Sequence, residues 1–300
     1  MSNVRRNPFA LRIALLALAL LLGGGAGAAV TVPIEIYDSH VFVLVTLPHS
    51  RPLWFLVDSG AAAPVNLIDR RAAAGAGLNG SGQQTAGAIG GSVHLTFSPP
   101  VALHVGAAQL APAKLGIMAL SDGQEGHAVD GLLGFAFFSA FNPQIDYPAR
   151  RMILSASPPT IEGHVPLKIV NKNCLIEARL VLTAGEKPLT VKLIVDTGFD
   201  GALVLNSPFV KRHGLLKGQS VSVAGASLGG RTTGALSHVA SLTIGGAREN
   251  NVQTRLSSDR QGPFADGTID GYVGGALLQH YSVLFDYAHG RLTLLSRQSR

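Results

Sequence analysis

Two aspartates stand out by what surrounds them. Asp58 closes the apolar run Leu53–Val57 and is followed by Ser59 and Gly60; Asp196 closes the run Thr190–Val195 and is followed by Thr197 and Gly198. Each stretch reads as a buried strand that delivers one carboxyl group at a tight turn. If the two turns face each other, neither carboxyl ionises freely beside the other, and the pair holds one proton between them. The ionised partner can then act as general base on a shared water while the protonated one polarises a carbonyl group. That chemistry needs neither a metal nor a covalent nucleophile, so no cofactor is assigned. Gly60 and Gly198 would let backbone approach closely at the turns. The Ser59 and Thr197 hydroxyls could hydrogen-bond across the pair and fix its geometry.

An internal repeat puts the two turns in equivalent places. Phe55–Leu67 matches Leu193–Leu205, which sets the two aspartates 138 positions apart. Val129–Phe141 matches Ile269–Tyr281, with Asp130 and Asp270 140 apart, and Asp146 and Asp286 just beyond are again 140 apart. The openings agree as well, Val32–Ile36 with Val165–Ile169. Two copies are too few for a solenoid and suit a pseudo-symmetric pair facing each other. Pro158 and Pro159, inside Ser155–Gly163, forbid regular structure and read as the linker. The expected division is a leader over 1–28 and two lobes over 29–157 and 158–300, a monomer containing its own pseudo-dimer.

The elements that must hold these residues are strands. Nearly half the residues are hydrophobic and 14% are charged, enough to build a core. Short Val/Leu/Ile runs punctuated by Gly and Pro favour an all-β fold with many turns. His40–Leu47 and Cys174–Leu182 are strand-like, and Ser207 with Pro208 is predicted to cap a short helix ending at Gly214. The Gly-rich stretches 75–91 and 225–234 cannot be regular helices; hairpins that move over a cleft are expected there. Asp130, Asp270, Asp146 and Asp286 are expected to make turns or caps. Cys174, the single cysteine, can close no internal disulfide and reads as a small core residue. Trp54 and the aromatics of Phe135–Phe141 read as core.

The net charge of +6 includes Arg5, Arg6 and Arg12. No Lys/Arg cluster interleaved with aromatics accompanies it, which argues against nucleic acid as a partner. Arg5 and Arg6, the apolar Ile13–Leu22, the break at Gly23 to Gly25 and the small residues Ala26-Gly27-Ala28 form an export leader. The apolar run is short for a transmembrane helix, so no stable membrane span is expected once the leader is removed. A periplasmic or extracellular location is expected, with an uncleaved N-terminal anchor as the alternative. The ten His residues carry no metal-ligand spacing, so no metal site is expected. Gly225–Gly229 formally matches the Gly-x-Ser-x-Gly elbow of serine hydrolases, but the residues after Ser227 do not form a helical sequence.

The two Asp-(Ser/Thr)-Gly turns, each with its own later hydrophobic-hydrophobic-Gly segment (ending at Gly134 and Gly274), resemble the aspartic peptidases, the superfamily of pepsin and the retroviral proteases. The resemblance covers essentially the whole chain after the leader. Within the superfamily the short lobes look closest to bacterial retropepsin-like proteins, here duplicated in one chain. It implies two β-barrel lobes with a central cleft and few short helices. It also implies an aspartic endopeptidase that hydrolyses peptide bonds in extended peptide or protein substrates, with Asp58 and Asp196 catalytic. Ser59, Gly60, Thr197 and Gly198 would support the dyad. Asp200 matches the acid that binds substrate backbone in retroviral enzymes, and the Gly-rich loops near Gly87 and Gly229 would cover substrate. Several positions depart from the family pattern. No Tyr lies between Gly75 and Gly91, Ala62 stands where the first half would carry the acid, and Phe135 and Gly275 stand where retroviral enzymes carry an Arg. Ala61 and Phe199 replace a hydroxyl residue, and losing that donor leaves carboxylates less acidic, so a weakly acidic optimum is expected. The alternative is a catalytically inactive pepsin-like module that binds peptides.

Overall fold

A computed structural model describes residues 29–88, 91–120, 126–227 and 230–296. The expected leader over 1–28 and Gly229 lie outside the described residues. Strands dominate, organised in a 13-stranded and a ten-stranded sheet. The α-helices among the described residues are short: Arg70–Gly75, Phe135–Phe141, Ser207–Arg212 and Gly275–Leu278. The fold is all-β.

Alternation explains which strands lie where. In Asn173–Val181 the residues Cys174, Ile176, Ala178 and Leu180 point inward while Glu177 and Arg179 point out, the period of a strand with one wet face. Leu53–Val57 and the end of Leu189–Asp196 lack that alternation because protein covers both faces.

Both halves use the same device around their Asp-bearing strand. Gly131–Leu133 lies parallel to Leu53–Val57, with Leu133 opposite Val57, and antiparallel to Leu67–Asp69. Gly271–Gly274 lies parallel to Leu189–Asp196, with Gly274 opposite Asp196, and antiparallel to Leu203–Leu205. The strand carrying each second glycine signature is thus wedged behind the turn that carries the aspartate.

Asp130 and Asp270 lock this wedge. Asp130 accepts the Trp54 amide at 2.9 Å and both Arg51 guanidinium nitrogens, while its own amide donates to the Trp54 carbonyl at 2.8 Å. Asp270 accepts the Lys192 amide at 2.9 Å and Arg212, and its amide donates to the Lys192 carbonyl at 2.8 Å. These carboxylates extend the strand pairing rather than cap a turn. Asp146 and Asp286 do serve turns, accepting the Ala149 and His289 amides respectively.

The halves also share a sheet. Val30–Pro33, Arg151–Leu154 and Gln144–Asp146 run in order into Tyr281–Asp286, Arg291–Ser296 and Val165–Val170. The seam is the antiparallel pairing of Gln144–Asp146 with Tyr281–Asp286, centred on Ile145 opposite Val283. The segment 155–164, which contains the proline pair, has no helix or strand. One apolar core runs from Val41 and Phe55 through Ile145, Tyr147 and Met152 into Cys174, Leu193, Val283 and Phe285. Cys174 is fully buried in it.

Two details differ from expectation. Asn206, not Ser207, occupies the N-cap of Ser207–Arg212; its side-chain amide donates to the Pro263 and Asp266 carbonyls, and Ser207 is already helical. The Gly-rich stretches form the hairpins Ser81–Ala88 with Gly91–Phe97 and Ser222–Ser227 with Gly230–Ile244, so Ser227 ends a strand and another strand comes next.

Replacing Asp130 by Ala leaves the partly buried Trp54 amide without this acceptor. A loss of about 1–3 kcal/mol is expected, read as a Tm lower by roughly 3–8 °C in thermal unfolding. Asp146→Ala, which removes one long 3.3 Å turn bond and a pair with the exposed Arg151, should cost about 1 kcal/mol or less.

Candidate active site

The strand ends Val57 and Val195 deliver Asp58 and Asp196 into turns that face each other across the two halves. An added Cβ at Gly60 would overlap the Asp196 carboxyl group, and one at Gly198 would overlap that of Asp58. Each catalytic-type glycine therefore packs against the opposite aspartate, and any larger residue would push the two acids apart. Gly60 also donates its amide to Asp58 Oδ1 and Gly198 to Asp196 Oδ1, both at 2.9 Å, which fixes each carboxyl over its own turn.

Beneath the acids, Ser59 and Thr197 form a closed set of four hydrogen bonds. The Ser59 amide donates to Thr197 Oγ1 at 2.9 Å, and Thr197 Oγ1 donates to the Val57 carbonyl at 2.6 Å. In return the Thr197 amide donates to Ser59 Oγ at 3.0 Å, and Ser59 Oγ donates to the Val195 carbonyl at 2.7 Å. Both hydroxyl residues are fully buried. Each hydroxyl accepts one bond and donates another, so its capacity is used on the opposite half of the chain.

Support comes from behind. The Asp58 amide donates to the Leu133 carbonyl at 2.9 Å. The Phe135 amide donates to the Ala61 carbonyl at 3.1 Å, and the Gly275 amide to the Phe199 carbonyl at 2.7 Å. Gly134 and Gly274 touch those same carbonyls with no room for a side chain. Asn66, buried, accepts the Gly134 amide at 3.0 Å.

Electrostatics is set by this packing. Asp196 is 5% exposed and Asp58 is half-buried. Burial pushes the Asp58 carboxyl above its ordinary range; hydrogen bonding to Asp196 and the Gly60 amide opposes that shift. Asp196 is pushed up further, first by burial and next by the charge of Asp58. Both carboxyl groups are raised, so the pair holds a proton between them over a range where a free aspartate would be ionised.

Asp200 is half exposed, 3.7 Å from the Arg255 guanidinium. Arg255 also lies 5.2 Å over the ring of Phe199, the residue after Gly198. Arg255 belongs to the strand Ala247–Ser257. Gly87 pairs with Ser92 one step from the end of its hairpin. Among the described residues no group of three or more His, Cys, Asp or Glu side chains is placed to hold a metal, and no helix is long and apolar enough to cross a membrane.

Sequence reasoning missed Arg255 and His40. No motif in the sequence marks Arg255. His40, 4% exposed, places Nε2 3.1 Å from the Gly198 carbonyl. A histidine opening an otherwise apolar strand was its only mark in the sequence.

A two-lobed all-β protein with a buried carboxyl pair between its halves belongs to the acid-protease class of folds. Residues 181–275, which include Asp196, Thr197, Gly198 and Gly274, match the family described as aspartyl protease. The crystal structure of aspartic proteinase from Irpex lacteus superposes with a TM-score of 0.58 at 14% sequence identity, covering 90% of this chain and 98% of that one. No curated protein sequence matches the chain. The family match thus covers the second half of the chain around Asp196, and the structural likeness extends the acid-protease fold over nearly all of it.

The raised carboxyl pair binds more protons in the folded than in the unfolded chain above about pH 4, so stability falls as pH rises through that range. Asp196→Asn removes the buried like-charge term. It should flatten the pH dependence and raise Tm near pH 7 by roughly 2–6 °C, measured by thermal unfolding from pH 3 to 8. Thr197→Val strands the Ser59 amide and the Val57 carbonyl; denaturant unfolding should register a loss of about 2–4 kcal/mol, mostly restored in Thr197→Ser.

Proposed function

We propose that the protein is an aspartic endopeptidase in which Asp58 and Asp196 activate one water between them. The observation that carries this reading is the mutual packing of the two carboxyl groups against Gly198 and Gly60, over the closed hydroxyl set of Ser59 and Thr197. Asp58, ionised, takes a proton from the water as its oxygen attacks the peptide carbonyl. Asp196, protonated, donates a hydrogen bond to that carbonyl oxygen as it gains negative charge. Collapse of the tetrahedral intermediate breaks the C–N bond, and the proton acquired by Asp58 passes to the leaving amine.

An extended peptide is the substrate that fits this reading. Asp200 would meet its backbone, and the hairpin carrying Gly87 would close over it. The leader supports action outside the cytoplasm, in the periplasm or beyond. The compact lobes support a retropepsin-like enzyme working as a monomer, its dimer partner built into the same chain.

The test is a mixed peptide library incubated across pH 2–8 with wild type, Asp58→Asn and Asp196→Asn, with products read by mass spectrometry. Wild type should cleave with an optimum at weakly acidic pH, and each substitution should lower the rate by about 10³-fold or more. An optimum below about pH 3 would contradict the raised carboxyl pair. A folded wild type that binds a statine-type inhibitor without cleaving any peptide would instead indicate a peptide-binding module.

A further inference from the structure

The dyad is built from matched halves, yet one side has an extra contact. His40 opens the strand His40–Thr46 after a two-residue turn in which Asp38 (φ 46°) and Ser39 (φ 63°) are both left-handed. The Ser39 carbonyl lies against Gly275, where a Cβ would overlap it, so this turn of the first half is seated on the second. From there the His40 ring reaches 158 positions along the chain to the Gly198 carbonyl, 3.1 Å from Nε2. A carbonyl only accepts, so Nε2 carries the proton. The equivalent residue in the second half is Asn173, opposite Val170 as His40 is opposite Tyr37, after the left-handed pair Asn171 and Lys172. Asn173 is half-buried and turns its side-chain amide back to the Asn171 carbonyl at 3.4 Å.

We propose that His40 is a positioning residue that breaks the symmetry of the dyad, holding the Gly198 turn through Nε2–H and making Asp58 the base and Asp196 the acid. The position of the ring supports this, because its field favours the charged form of Asp58. The other side chains whose ionisation couples to the dyad are the phenols of Tyr147, Tyr272 and Tyr287, all pushed up by burial and therefore neutral in acid. Around His40 itself, Asp38 in the same turn is exposed, and the Tyr37 hydroxyl is directed at Gly126. Of the named groups, His40 is the one whose field favours the charged form of Asp58.

The inference rests on the peptidase reading for its kinetic arm only. His40→Leu removes hydrogen bond and charge, whereas His40→Gln keeps a donor and removes the charge. In His40→Leu, kcat should fall about tenfold or more with KM within about twofold. The acid limb of kcat/KM should move up by about half a pH unit or more, because Asp58 becomes harder to ionise. His40→Gln should recover most of kcat but keep the displaced limb. An unmoved limb in the folded Gln variant, or a loss confined to KM, overturns the proposal. A second arm needs no turnover: carboxyl-carbon NMR of the aspartate-labelled full chain tracks the two apparent ionisations of the pair. The lower one should move up in His40→Gln by about half a unit, and no movement overturns the proposal. Movement in a protein that cleaves nothing would sustain the role of His40 and count against the peptidase reading alone.

Discussion

Two carboxyl groups occupy one poorly hydrated space, where both cannot readily be ionised at once. Everything near them answers to that repulsion. Left alone, the turns would separate or admit enough water to screen the charges. The hydroxyls of Ser59 and Thr197 prevent this because each is committed to backbone groups of the opposite half. Breaking the pair would leave buried amides and carbonyls with no acceptor or donor, a larger penalty than the repulsion it would relieve.

The same constraint explains the layering behind the turns. Strands Gly131–Leu133 and Gly271–Gly274 buttress them, and Asp130 and Asp270 pin those strands through backbone amides. A carboxylate that accepts a strand amide and a guanidinium together resists sliding of the ladder, because register and charge pairing would be lost at once. A site assembled from two turns needs such rigidity, since a displacement of one ångström would separate the acids from a common water.

Much of this was legible in the sequence because it is local. An apolar run ending in Asp-(Ser/Thr)-Gly forecasts a buried strand and a turn, and the strands and hairpins stand where the periodicity and the glycines put them. The repeat further implied that the two turns would be equivalent. What stayed hidden depends on partners far apart in the chain. The placement of Asn206 at the helix start is decided by carbonyls near residue 265, and Arg255 reaches Asp200 from a strand with no motif of its own. The role of Asp130 in clamping Trp54 cannot be read from the Asp-Gly pair, which looks like any turn. The sheet common to both halves was equally invisible, because its seam joins residues about 138 positions apart.

That seam has a consequence for how the molecule can vary. Two identical subunits meeting at such a sheet would separate on dilution, and every substitution would appear on both sides at once. Here the union is intramolecular, so assembly is independent of concentration. The two halves therefore need not match: histidine at 40 corresponds to asparagine at 173, and alanine at 61 to phenylalanine at 199. Covalent linkage thus permits a division of labour that an obligate homodimer, bound to strict twofold identity, cannot adopt.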